Sequence, residues 1–175
     1  MDQTNASRLS ENVPRMYRVA LRMVGDDDGA GEVVQEACVK ALRAMGRFDG
    51  RSALSTWLHR ITVNCAMDHL RRIERAGGRE ISLDPDGAAL LVSAQPPPSA
   101  TVDQRETIAR MMAHIADLPD DCRCVFVLTQ LDGYSYDDAA RIAGQPRGTV
   151  ASRVFRAKKL LLSQLSDSAD SRVQA

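Results

Sequence analysis

Aromatic residues make up only 4% of this chain and β-branched alternation is weak, which argues against a β-rich fold. No run of about 18 apolar residues occurs, so no membrane-spanning helix and no direct membrane insertion are expected. Residues 1–10 are polar and contain no apolar signal core, so the chain is expected to stay in the cytoplasm. Four cysteines, Cys38, Cys65, Cys122 and Cys124, are too few and too scattered for a disulfide framework. No Gly-rich phosphate loop is present, and His59, His69 and His114 form no set with a nucleophile or metal ligands. Neither an enzyme nor a cofactor is therefore expected. Net charge is lacking too, with 23 basic and 23 acidic residues, so the total points to no nucleic-acid partner.

That neutrality hides a local asymmetry. Residues 139–166 hold six basic side chains and no acidic one, while the acidic excess lies between residues 77 and 103. Apolar periodicity is helical throughout. Val13, Met16, Tyr17, Ala20, Leu21 and Val24 share one face. After the turn at residues 25–29, Ala30, Val33, Val34, Ala37, Ala41 and Met45 share another, with Glu36 and Lys40 paired at i, i+4 outside. A third helix is predicted over residues 52–75. Leu54, Leu58, Ile61 and Cys65 point inward, and Arg60, Asn64, Asp68, Arg71 and Arg75 point outward.

Gly77-Gly78 stops that helix, and the proline-rich stretch up to about Thr101 reads as a linker. The chain is thus split into domains 1–76 and 104–175 with a linker over 77–103. In the second domain Ile108, Met111, Met112, Ile115 and Leu118 mark a helix ended by Pro119. Asp120 or Asp121 is expected to cap the next helix, which Asp132-Gly133 closes. Ser135-Tyr136-Asp137-Asp138 is a capping box, Gly144 ends its helix, and a last helix runs to about Leu165.

Residues 135–160 therefore have the form of a helix-turn-helix that reads DNA. Val150, Val154 and Leu161 would pack on the first helix. Ser152, Arg156 and Lys159, at i, i+4, i+7, offer donors to bases and phosphates, flanked by Arg153 and Lys158. Arg147 and Thr149 leave the helix start free of acid, so its backbone N–H groups can meet phosphate. A helical hairpin with a merely solvated basic face is the plainer alternative.

The segment 132–140, with Pro146-Arg147-Gly148-Thr149-Val150 and the following Ser152, Arg153, Phe155 and Arg156, resembles region 4 of bacterial sigma factors. The resemblance is to the extracytoplasmic-function (ECF) subfamily of the sigma-70 family. Val33-Val34-Gln35-Glu36-Ala37 resembles region 2.2 of that family. Phe48-Asp49-Gly50-Arg51-Ser52, then Thr56-Trp57-Leu58 through Asn64 and Asp68 through Arg72, resemble regions 2.3 and 2.4. The resemblance implies an all-α fold of two small helical domains, a region 2 bundle and a region 4 helix-turn-helix, joined by a flexible linker. It implies core RNA polymerase and promoter DNA as partners, and an anti-sigma factor as a third. Val34, Gln35, Glu36, Lys40 and Arg43 would dock on the polymerase clamp. Phe48, Ser52, Trp57, Arg60, Asn64, Arg71 and Arg72 would read the open minus-ten strand. Asn64 would read a base edge with its paired donor and acceptor, and the arginines would hold the backbone. Arg147, Thr149, Ser152, Arg153, Phe155, Arg156 and Lys159 would serve the minus-thirty-five element.

Two positions depart from the family pattern. Ala151 stands where many members carry a basic residue, leaving Arg147 to compensate. Cys122-Arg123-Cys124 is unusual, and inert buried thiols are its plainest reading over a metal or redox role. A DNA-binding regulator that never joins polymerase needs only the second domain. It leaves the first domain's motifs unexplained.

Overall fold

The computed structural model describes residues 3–77 and 102–173; most of the expected linker lies outside them. All its regular elements among the described residues are helical. They are α1 (Gln3–Ser10), α2 (Val13–Val24), α3 (Asp27–Ala44), a 3-10 turn (Met45–Arg47) and α4 (Leu54–Arg75). After the linker come α5 (Val102–Ala116), α6 (Asp120–Phe126), a π turn (Val127–Leu131), α7 (Tyr136–Ala143) and α8 (Arg147–Val173).

Local chemistry sets most boundaries. Pro14 sits in the first turn of α2, where its missing N–H costs nothing. Gly25 ends α2 at φ 93°, with its N–H on the Leu21 carbonyl at 2.7 Å. Asp26 caps α3 by accepting from the Gly29 amide at 2.7 Å, and Asp27 and Asp28 favour the positive end of that helix. Gly29, read from sequence as part of the turn, thus lies inside α3. The Tyr17 hydroxyl donates to Asp27 at 2.7 Å and ties α2 to the start of α3. Burial and the Asp27 carboxylate push the Tyr17 phenol up to about 12.

α2, α3 and α4 pack around Met16, Val19, Val33, Leu58 and Val63. Ala20, Ala37, Ala41 and Ala66 are fully buried between them and let the helices approach closely. α1 was not foreseen. It is a polar helix that buries Leu9 against the bundle.

In the second unit α6, α7 and α8 close around Val125, Leu128, Ile142, Val150 and Val154. Three expectations need correction there. The residue that precedes α6 as its N-cap is Pro119, with no side-chain cap; Asp120 and Asp121 fall in the first turn. Asp120 instead pairs with Arg123, which is buried. Met111 is largely exposed rather than inward. The last helix also outruns Leu165, reaching Val173. Ser135 does cap α7, accepting from the Asp138 amide at 3.1 Å, and Gly144 ends it at φ 64°.

α6 does not run straight into the turn at Asp132. Its last residues loosen into the π turn, with the Asp132 amide on the Val127 carbonyl at 3.0 Å and the Thr129 hydroxyl on the Val125 carbonyl at 2.7 Å. Asp132 and Tyr134 then face the first unit. Asp132 pairs with Arg22 of α2, and Tyr134 meets His59 of α4.

Candidate nucleic-acid and polymerase interface

α8 exposes most of the polar and basic side chains that were expected to read DNA. Val150, Val154 and Ala157 are buried, and Leu161 is half-buried, while Ser152, Phe155, Arg156, Lys158 and Lys159 are exposed. No acidic residue lies in its first turn, so the amide-rich end is open to phosphate. Arg156, Lys158 and Lys159 make no ion pair among the described residues. Two other arginines are already engaged. Arg153 is half-buried, pairs with Asp121 of α6 at 2.8 Å and bonds Gln145 in the turn. It ties α8 to α6, so its expected place among the DNA contacts is weakened by a structural duty. Arg147 meets Asp137 of α7 at 3.3 Å, and both are largely exposed, so the pair is weak and can exchange for a phosphate. Ser152 donates to the Thr149 carbonyl at 3.0 Å, and its oxygen remains a surface acceptor. Thr149 and Ala151 are half-buried.

α4 carries Arg60, Asn64, Asp68 and Arg71 along one exposed line. Arg71 pairs with Asp68 at 3.2 Å one turn away. Arg72 reaches Glu36 on α3 at 3.1 Å, and Lys40 holds the same carboxylate at 2.8 Å. The Lys40 ammonium, ahead of Arg72, keeps the Glu36 carboxyl below its usual range. At the start of α4 the rings of Phe48 and Trp57 meet at 5.3 Å and 49°. Beside them a pocket of about 520 Å³ is lined by Ser52, Thr56, Trp57 and Arg60. Asn64 lies on a second cleft of about 470 Å³, with Lys40, Met67 and Arg71.

The α3 face needs one change. Val34 retains only 7% exposure and belongs to the core, which leaves it little surface to offer a partner. Val39, which sequence reasoning passed over, is 43% exposed. It lies between Gln35 and Arg43, both exposed, at i, i+4, i+8 on one stripe. A signal existed: an apolar residue off the buried face of an otherwise clean amphipathic helix.

The thiols are quiet. Burial pushes Cys124 up to about 12 and raises Cys38, Cys65 and Cys122 as well, so all four are protonated at neutral pH. Among the described residues no group of three or more His, Cys, Asp or Glu side chains could hold a metal. No helix among them is long and apolar enough to cross a membrane.

Comparison with known proteins gives these surfaces a family. Residues 9–76 match the sequence model of Sigma-70 region 2, and residues 108–161 that of Sigma-70, region 4. The RNA polymerase sigma-H factor of Pseudomonas aeruginosa is 37% identical over 152 residues, 84% of this chain and 78% of that protein. The ECF RNA polymerase sigma-E factor of Escherichia coli K12 is 39% identical over 139 residues, 74% of this chain and 70% of that protein. Among solved structures, the sigma factor RpoE of Bartonella quintana, in complex with the anti-sigma factor NepR, superposes with a TM-score of 0.73. It is 26% identical and covers 94% of this chain and 98% of its own. CnrH, in complex with the cytosolic domain of CnrY, has the same fold, with a TM-score of 0.67, 24% identity, and 95% and 90% coverage. A helix-turn-helix regulator acting without polymerase would have no use for the matched region 2. With both regions present in order, this chain belongs to the sigma-70 family of RNA polymerase sigma factors, in its ECF branch.

Proposed function

We propose that this sigma factor divides promoter reading between α4 and α8, and docks on core polymerase through the outer stripe of α3. Gln35, Val39 and Arg43 form the docking stripe, with Glu36 and Lys40 at its edge; Val39 replaces Val34 as its apolar centre. Asn64 reads a minus-ten base, the Phe48–Trp57 pocket with Ser52 receives an unstacked base, and Arg60, Arg71 and Arg72 hold the strand. Ser152, Phe155, Arg156 and Lys159 approach the minus-thirty-five groove, with Arg147 and Thr149 at the phosphates. The observation that carries this division is the acid-free start of α8 beside an exposed Arg156–Lys159 face, in one chain with the Asn64 line of α4. Each reader is weak alone, and joining them on one polymerase gives avidity and fixes their spacing. The chain works in the cytoplasm, where core polymerase is, and an anti-sigma factor holds it there, as NepR and CnrY accompany the solved relatives. Initiation of this kind asks no catalysis of the chain itself.

Core polymerase supplied with the purified chain should transcribe from a subset of promoters in a genomic library, and silence in that assay would refute the reading. Two substitutions test the residues. Asn64→Ala should alter preference at one minus-ten base while polymerase binding holds. An equal loss at every promoter would make Asn64 structural. Arg156→Ala should weaken the minus-thirty-five footprint about tenfold, the order of one lost base or phosphate contact. An unchanged footprint would remove Arg156 from the interface.

A further inference from the structure

The basic side chains of α8 differ in what they meet. Arg156, Lys158 and Lys159 reach into solvent. Arg153, in the same helix and one turn from Arg156, is turned back on the protein. Its Nη2 meets the Asp121 carboxylate in the first turn of α6 at 2.8 Å, and its Nη1 donates to the Gln145 side-chain oxygen in the turn before α8. Asp120 is committed to the buried Arg123, so Asp121 is the carboxylate at the start of α6 that serves α8. The Gln145 amide is itself held on the Ala140 carbonyl of α7 at 3.0 Å. One guanidinium therefore ties α8 to both helices that precede it.

This clamp adds something the apolar contacts lack. Val150, Val154 and Ala157 bury one side of α8 against α6 and α7. Burial of apolar surface is non-directional, so this stripe brings α8 close but sets its roll only coarsely. A guanidinium is planar, with its donors in a fixed fork, and two acceptors on separate elements leave it little freedom. Roll matters to a reading helix. A rotation of about 10° moves an atom about 6 Å from the helix axis by roughly 1 Å, enough to break a hydrogen bond to a base edge. Folding, by contrast, asks little of this pair. The Arg153 and Asp121 side chains are 29% and 38% exposed, and ion pairs in such reach of water contribute little to stability.

We propose that Arg153 is a positioning residue: clamped between Asp121 and Gln145, it sets the roll of α8, and so which bases Ser152 and Arg156 meet, without touching DNA itself. The proposal rests on α8 being the minus-thirty-five reader. Its effect is on specificity, because a rolled helix keeps its charges near the phosphates while its base contacts fall out of register.

The test uses holoenzyme, a promoter that it transcribes, and a copy of that promoter with the minus-thirty-five element scrambled. The readout is the ratio of the two affinities. Asp121→Ala removes a negative charge from the DNA-binding unit and frees Arg153. If Arg153 were a DNA contact, this variant would bind the intact promoter more tightly and keep its ratio. As a positioning pair, its loss should lower the ratio roughly tenfold, the order of one bidentate base contact. Arg153→Ala should lower the ratio to the same degree and leave the salt dependence of binding unchanged. A residue that neutralised a phosphate would reduce that slope by about 0.9. Arg153→Lys, which keeps the charge and loses the fork, should resemble Arg153→Ala, whereas a phosphate contact would tolerate lysine. Gln145→Ala removes the other arm of the clamp and should also lower the ratio, which keeps the test open if Asp121→Ala fails to fold. Circular dichroism and thermal melts identify the folded variants. Tighter binding with an intact ratio in Asp121→Ala, or a reduced salt slope in Arg153→Ala, overturns the proposal. Folded variants that all discriminate like wild type overturn it as well, and leave the reading of α8 in place. A wild-type holoenzyme indifferent to the scrambled element overturns that reading, and the proposal with it.

Discussion

Val39→Asp should weaken binding to core polymerase by roughly a hundredfold, about 2.7 kcal/mol, with the helix content of the free chain unchanged. Val39 stands 43% exposed on α3, between Gln35 and Arg43. In the free protein a carboxylate there stays in water and costs little. In the complex it would be desolvated in an apolar contact with no cation provided, a penalty of several kcal/mol before relaxation. The paired control is Val34→Asp, five residues away and 7% exposed. That carboxylate would sit between α2, α3 and α4 and should unfold the first unit outright. Titration of labelled chain with core enzyme, alongside circular dichroism, separates the two effects. If Val39→Asp binds core like wild type, polymerase docks elsewhere.

Gly29→Ala and Gly31→Ala should move stability in opposite directions although they lie two residues apart in one helix. A Cβ on Gly29 would stand 2.6 Å from Val24 Cγ1, 2.9 Å from His69 Nε2 and 3.0 Å from the Asp26 carboxylate. Val24 is 1% exposed and His69 8%, so neither has room to withdraw. Overpacking of this kind costs about 1–3 kcal/mol, and loss of the Asp26 cap adds to it. Gly31 has nothing within 4 Å of its Cβ position and is exposed, so alanine there only removes backbone entropy and gains about 0.5–1 kcal/mol. Thermal melts should place Gly29→Ala several degrees below wild type and Gly31→Ala a degree or more above it. A shift of the same sign in both would show that α3 does not approach α2 and α4 so closely.

Much of the molecule was legible residue by residue because its determinants are local. The apolar period of α2, the Ser135 cap, the left-handed Gly25 and Gly144, and the acid-free run into α8 each depend on neighbours within a turn or two. So does the all-α class, and with the family motifs so does the pairing of region 2 with region 4. The structure departs from or qualifies the sequence reading where local signals tie. Asp120 and Asp121 both look like caps, but Pro119 takes that place and Asp120 turns to the buried Arg123. Val34 and Val39 are both apolar on α3, and only the packing of α2 and α4 against one side decides which is core. Arg153 reads as a DNA contact until Asp121 and Gln145 are brought beside it.

The amino-acid order alone thus determined the all-α class, most of the helices and caps such as Ser135, since each follows from contacts a few residues apart, and its motifs carried the kinship with sigma factors. Tertiary structure alone decided which exposed side chains remain available. Arg22 and Asp132 are 110 positions apart, and His59 and Tyr134 are 75 apart. No period or spacing links such pairs; they meet because the small-residue side of α7 fits over α4 and the π turn aims two polar groups back at the first unit.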